Sequence, residues 1–273
     1  MRFPFRLLKG DSMQSVSNLY KSIAESHDYH VETALILCDN SIPLSSDYTD
    51  STHKTLVSAY DEEMLWSIST TRNAFTNNKP EVGCCTCGEI DLQMLKPSTV
   101  VPQMARITPY VRLVSNADLG ESEWIRKGVY FIDSRNVTKN DDDLNILTLH
   151  GYDSMLKTED FYPWSSEASP TALQAVNAIA QAIGVEVDPR TTVIITQNNY
   201  TVTAPIGYTM RENLEHIASA YGGNFIINDL GMLQLICLWD LPEESNLLSD
   251  EYYNAITFGT GANLTRIDLG EEA

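Results

Sequence analysis

Between Ala105 and Leu113 the chain reads ARITPYVRL. Ala105, Ile107, Pro109, Val111 and Leu113 fall on one side, and Arg106, Thr108, Tyr110 and Arg112 on the other. This two-residue period belongs to a β-strand with distinct faces. Pro109 has no N–H for a ladder, so the strand is expected at a sheet edge, or bulged at that point. The same grammar extends on both sides. Tyr29–Cys38 (YHVETALILC) and Glu63–Thr70 (EMLWSIST) read as strands, Asn77–Pro80 as a turn, and Gly83–Leu95 as the entry to an all-β region. Ser122–Ile125 and Val129–Ser134 read as a hairpin around Arg126-Lys127-Gly128. The run Lys139–Asp143 (KNDDD) is a polar loop before a strand at Leu144–His150. Short strands with turns about every ten residues predict a sandwich or a barrel.

After Gly151 the period changes. Ser169-Pro170 is expected to start a helix, serine capping and proline at the first turn. Leu173, Val176, Ile179, Ala180 and Ile183 give its buried stripe and Gly184 its end. Thr209-Met210-Arg211-Glu212 has the form of a capping box opening a second helix. Leu214, Ile217, Ala218 and Tyr221 face inward there, and Gly222-Gly223 stops it. A hairpin follows, Phe225–Asn228 and Met232–Leu238 around Asp229-Leu230-Gly231. These pieces predict an α+β module from Thr158 to Leu241. At the other end, Leu7–Glu25 has helical spacing, with Asp11 and Ser12 able to start a helix. Beyond a polar linker, Asn254–Phe258 and Asn263–Leu269 resume strand grammar, and two strands alone cannot bury a core. The expected fold is α+β, mainly β, with small antiparallel β-barrels and an inserted α+β domain. Its segments are a helical N-terminus (1–28), a first barrel (29–157), the α+β domain (158–241), and a linker with the start of a second barrel (242–273).

Composition narrows the function. The 273 residues include 37 acidic and 18 basic side chains, a formal net charge of −19. Such a charge repels phosphate backbones and argues against specific nucleic-acid binding. It serves solubility, or forms the wall of a channel along which DNA slides without adhering. No run approaches the roughly 18 apolar residues of a spanning helix, and the N-terminus lacks the h-region of a signal peptide. No stable membrane association is expected. Five cysteines, with Cys84, Cys85 and Cys87 crowded together, make a poor disulfide framework and suit a reducing compartment.

The residue types that carry chemistry do not combine into a site. Cys84, Cys85 and Cys87 lack the second ligand pair of a zinc centre, so small buried thiols are expected. His150 has no nucleophile signature near it and reads as a hydrogen-bonded junction residue. Asp141-Asp142-Asp143 lacks the glycine and glutamate of a calcium loop. Gly259-Thr260-Gly261 lacks the lysine of a phosphate loop. No catalytic, cofactor or metal residue is assigned, and no cofactor is expected. Arg106, Tyr110, Arg112 and Trp124 are the candidate interface residues, because arginine and aromatics are enriched where proteins meet. The plainer alternative is that they cover the sheet exterior and pair with local acids.

The order of pieces from Glu89 to Leu156 is distinctive: EIDLQM, ARITPYVRL, SEWIRKGVYFIDS, LTLHGYD. With the later run TMRENLEHIASAYGGNFIINDLGMLQL, it resembles the hub proteins at the tip of bacteriophage tails, over about Tyr29–Leu238. The resemblance implies small β-barrels with an inserted α+β domain. It implies a homotrimeric ring around a channel, adapting a sixfold tail tube to a threefold tip, spike or fibre. Its implied partners are copies of itself, tail tube or distal tail proteins, the tape measure protein, and tip, spike or fibre proteins. The implied location is the virion. The chain departs from the family's pattern by reaching only two strands of the second barrel. The rival expectation is a tail-associated cell-wall or capsule hydrolase.

Overall fold

The structure is a computed structural model and describes residues 16–38, 57–60, 64–76, 80–98, 100–102, 104–117, 119–139, 143–163, 169–203, 207–237, 256–258 and 267–269. The first nine residues of the predicted Leu7–Glu25 helix, including Asp11 and Ser12, lie outside them, as do most of the Asn77–Pro80 turn and most of the KNDDD loop. One compact unit spans Asp11–Leu238. Within the other, the described residues are two short antiparallel strands, Ile256–Phe258 and Ile267–Leu269.

The large unit begins with α1 (Asn18–Ser26), capped by the Ser17 hydroxyl accepting from the Tyr20 N–H at 3.0 Å. Next come β1 (Tyr29–Cys38), β2 (Val57–Tyr60), β3 (Leu65–Thr71), β4 (Glu89–Leu95) and β5 (Arg106–Ser115). They are followed by β6 (Ile125–Arg126), β7 (Tyr130–Lys139) and β8 (Asn145–Tyr152). All these strands join one antiparallel sheet of order β2-β1-β5-β7-β8-β4-β3, with β6 beside β5. The expected closed barrel is corrected here: among the described residues no ladder joins the first and last strands. The sheet nevertheless curls. Its two outermost strands, β2 and β3, are consecutive in the chain, and five residue steps from Tyr60 to Leu65 reach at most about 18 Å. Seven flat strands would span about 29 Å at their usual spacing. The core follows from that curl. Leu35 and Leu37 of β1 meet Ile90, Leu92 and Met94 of β4, and Ile107, Tyr130, Ile132, Leu147 and Leu149 from between.

Pro109 sits in the interior of the sheet, not at its edge. β5 pairs with β1 over ten residues, from Tyr29↔Ser115 to Cys38↔Arg106. On its other side the chain returns after a reversal closed by Ser115 N–H donating to Gly120 O at 3.0 Å. The returning chain pairs Val111↔Ile125 and Tyr110↔Arg126, then Ile107↔Tyr130 and Arg106↔Phe131. Three steps along β5 are thus matched by four on its partner, a one-residue bulge opposite Thr108 and Pro109. The Pro109 carbonyl accepts from the Lys127 N–H at 2.9 Å, so the missing donor faces the bulge. Arg126-Lys127-Gly128 is therefore a kink in a single strand path and not the predicted hairpin turn. Gly128, with φ +131°, holds the kink, and a Cβ there would lie 2.5 Å from the Tyr130 ring.

The helical part begins with a short 3₁₀ turn, Ser154–Glu159. Helices α2 (Ala172–Ile183), α3 (Pro189–Gln197) and α4 (Met210–Ala220) follow, then the hairpin strands β9 (Gly223–Ile227) and β10 (Leu233–Cys237). The α2 cap is Thr171, with Gln174 completing a capping box, so the predicted Ser169-Pro170 start moves by two residues. Thr171 wins because its hydroxyl and the Gln174 side chain satisfy each other's backbone N–H. The Thr209–Glu212 box of α4 forms as read. α3 was not foreseen: its TTVIIT stretch is β-branched, yet Asp188 caps it and Pro189 opens it. Val176, Ile179, Ile183, Leu214, Ile217, Phe225, Leu233 and Leu235 form its core.

Candidate functional site

Arg112 is the best-anchored of the four candidate interface residues. β5 places it directly across from Glu32 of β1, on the same face. Its Nε and Nη2 donate to Glu32 Oε2 at 2.6 and 2.5 Å, and its Nη1 pairs with Glu121 on the returning chain. The guanidinium lies 4.6 Å from the centre of the Trp124 ring, close enough for cation–π attraction. Trp124 itself is 41% exposed. Tyr110 is half-buried, and its hydroxyl has no hydrogen-bond partner among the described residues. Arg106 is 4% exposed and so offers no surface to another chain in this conformation. Arg112 and Trp124 form one surface cluster, flanked by two glutamates of the same chain.

A second polar constellation joins the sheet to the helical part. Residues 83–87 do not extend β4, as the Gly83–Leu95 reading implied. They leave the sheet and run beside β9. Gly83 N–H donates to Gly223 O at 2.9 Å, Phe225 N–H to Cys84 O at 2.9 Å, and Thr86 N–H to Phe225 O at 3.2 Å. Asn224, fully buried, fastens this segment. Its Oδ1 accepts from Cys84 N–H at 2.8 Å, and its Nδ2 donates to the carbonyls of Ala74 and Glu81, each at 2.8 Å. Arg211 of α4 donates to Cys85 O at 2.8 Å and pairs with Glu159 at 2.6 Å.

Asp153, 2% exposed, ties the end of β8 to this crossing. Its carboxylate accepts from Gly88 N–H at 2.7 Å, Met155 N–H at 2.8 Å and the Cys87 thiol at 3.3 Å. A Cβ on Gly88 would lie 2.7 Å from Asp153 Oδ2, so only glycine allows that approach. Burial pushes the Asp153 carboxyl up to about 6, against the lowering effect of these donors and of Arg72. Arg72, just past β3, pairs with Asp229 of the β9–β10 turn and donates to the Tyr130 hydroxyl at 3.3 Å.

Cys85 lies in the helical core and Cys87 packs against it, while Cys84 is buried outside that cluster. Burial raises the Cys85 and Cys87 thiols well above their ordinary value, which keeps them protonated and poor as ligands or nucleophiles. Among the described residues no three His, Cys, Asp or Glu side chains are grouped to hold a metal ion. His150 is a cross-strand partner of Asp91, Nδ1 to Oδ1 at 2.8 Å, and sits edge-on to Tyr152. Sequence reasoning missed Arg72, Asp153, Asn224 and Asp229. Two carried a local signal: Asp153 is an aspartate immediately before a helical turn, and Asp229 opens the Asp229-Leu230-Gly231 turn.

No protein-family model matches the chain, and neither does any curated protein. Solved structures similar to it include the 43 kDa tail protein of prophage MuSo2 from Shewanella oneidensis, at 14% identity and a TM-score of 0.44. That match covers 76% of this chain and 56% of the other. A tail protein from Neisseria meningitidis MC58 is matched at 14% identity and a TM-score of 0.38, over 76% of this chain and 50% of the other. The chain thus spans about half the length of the structures it matches.

Proposed function

We propose that this chain is a structural protein of a phage or phage-like tail, a tip or baseplate hub that forms a trimeric ring around the DNA channel. In this reading the ring meets the sixfold tube on one side and the threefold tip, spike or fibre on the other, with the tape measure protein as a further neighbour. The observation that carries it is the succession of elements by which the sequence resembles tail hubs. A curled antiparallel sheet is followed, in one compact unit, by a Thr209-capped helix that leads through Gly222 into the β9–β10 hairpin. The acidic balance of −19 suits a channel wall that DNA must not adhere to. Three ionisable groups of the described fold have structural partners: Asp153 caps a helical turn, Asp188 pairs with Arg190 at 2.8 Å, and His150 holds Asp91. They are the opposite of a catalytic pair left open to substrate.

The test is the position and symmetry of the chain in an intact particle, imaged by electron microscopy. A threefold ring on the tail axis is expected. Density at the tail surface, away from the axis, would remove the hub reading. Clearing of a host cell-wall suspension by the purified chain alone would replace it with the hydrolase. Within the ring, the Arg112–Trp124 cluster is proposed as one contact. Arg112→Glu is expected to weaken self-association in sedimentation while the far-ultraviolet spectrum stays unchanged. Unaltered assembly of the folded variant removes this cluster from the interface.

A further inference from the structure

We infer that the free edge of β3 is the place where a second copy of this chain adds a strand. The inference rests on the self-assembly reading above and names the surface it would use.

Two stretches of sheet edge contrast with each other. Among the described residues β7 pairs with β5 at Tyr130 and Phe131 alone, so Asp133–Lys139 has a ladder on one side only, with β8. Every residue of that stretch is exposed, and three of its seven, Asp133, Arg135 and Lys139, are charged. Charges along an exposed strand are the usual way in which a protein prevents another strand from pairing there. Among the described residues β3 likewise has a ladder on one side only, with β4. Its sequence, LWSISTT, contains no charge and no proline and is rich in residues that favour strands. Trp66 is 48% exposed, and Ser67, Ser69, Thr70 and Thr71 are exposed as well. The register shift between Leu65 and Ser67 takes Trp66 out of the β4 ladder, while Ser67–Thr71 stays regular and presents main-chain groups outward. An uncharged regular edge with an exposed indole at one end has the form of a strand-addition site.

Charge selects the occupant. Two copies, each carrying −19, repel one another over most of their surfaces. A contact between them must form where local charge is lowest, and β3 supplies such a line. Two acids stand across the ladder from it: Asp91, opposite Ser69, is already paired with His150 at 2.8 Å, and Glu89, opposite Thr71, lies at the far end of the strand. A basic partner would instead gain by choosing the acidic faces.

The experiment uses the full chain, by sedimentation velocity and native mass spectrometry across concentration, with hydrogen exchange of β3 amides. The parent is expected to associate, and Ser67–Thr71 amides to slow as it does. Ser69→Lys places a cation opposite Asp91, so the fold is retained while an incoming strand is blocked. Association should weaken tenfold or more, and β3 amides should exchange at the monomer rate. Trp66→Ala leaves the backbone unchanged and gives an independent reading, expected about threefold weaker. Parent-like assembly of both variants overturns the β3 inference and leaves the ring reading standing. A parent that stays monomeric at every concentration, with fast β3 exchange, overturns both. Protection of β3 only on addition of a different tail component overturns the second copy as occupant.

Discussion

The curled sheet and the helical part solve the same problem, enclosing an apolar core, by opposite routes. In the sheet, residues far apart in sequence must meet: Glu32 faces Arg112, and Glu89 faces Tyr152. Nothing local fixes those partners, and the ladder holds only when the whole curl has formed. In the helical part each helix carries its own start signal, Thr171, Asp188 or Thr209, and packs on near neighbours. Yet that part is not self-sufficient. Its hairpin takes residues 83–87 from the sheet's chain as a third extended segment, and Cys85 enters its core. Between two apolar cores lies a polar joint of Asp153, Arg72, Asn224 and Arg211. The difference teaches that the joint, rather than either core, makes Asp11–Leu238 one unit.

The hardest blow to that picture comes from the cores themselves. Phe225→Ala removes a fully buried ring of the helical core, at an expected cost of about 3–5 kcal/mol. Leu149→Ala does the same in the sheet, at about 2–5 kcal/mol. If the joint couples the two parts, each variant shifts a single unfolding transition in urea, seen alike by fluorescence and circular dichroism. Two separated transitions in either variant would show that the cores melt independently.

Next in size is the pH response of Asp153. Its folded pKa of about 6 stands above the ordinary 3.8, so the folded chain binds this proton more readily than the unfolded one. The contribution is therefore stabilising at low pH and is lost as pH rises through 6. Across that interval of pKa, at about 1.4 kcal/mol per pH unit, the difference amounts to about 3 kcal/mol. Asp153→Asn cannot titrate. Its stability relative to the parent should improve by about that amount between pH 4 and pH 7, whatever constant penalty the lost acceptor adds. A parallel pair of stability curves would place the Asp153 proton elsewhere.

Asn224→Ala acts on the joint directly. Three backbone groups lose their partner, but the Ala74 and Glu81 carbonyls lie where water can replace it. The buried Cys84 N–H cannot be rescued in that way, so the expected loss is about 2 kcal/mol. The loss should come with faster hydrogen exchange at residues 83–87. Unchanged exchange there would mean that β9 alone holds the segment.

How much of this was legible follows from the same contrast. Strand and helix types were readable wherever one face repeats, as at β1, whose predicted limits Tyr29–Cys38 are those found. The α4 cap and the β9–β10 turn were readable because their chemistry is local. Partners were not. Pro109 pointed to an edge or a bulge, and the bulge lies on the strand opposite, which the proline itself cannot reveal. Arg106 and Arg112 share a strand face by alternation, yet one is buried and the other sits on the surface beside Trp124. Asn224 gave no sign, since its partners are about 140 residues away and long-range hydrogen bonds leave no periodicity.

The smallest expected effect tests whether local signals in the helical part matter once the joint exists. Thr209→Ala removes the hydroxyl that accepts from the Glu212 N–H at 3.1 Å, and leaves the Glu212 carboxylate on the Thr209 N–H at 2.7 Å. Half of the capping box survives, so the cost should sit near 1 kcal/mol. Because α4 also carries Arg211, whose side chain reaches Cys85 O, loosening the first turn should be felt across the joint. Thr209→Ala and Asn224→Ala combined should then cost less than their separate effects added together, since each weakens the hold on residues 83–87 that the other relies on. Strict additivity in a double-mutant cycle would instead show that the cap belongs to the helix alone.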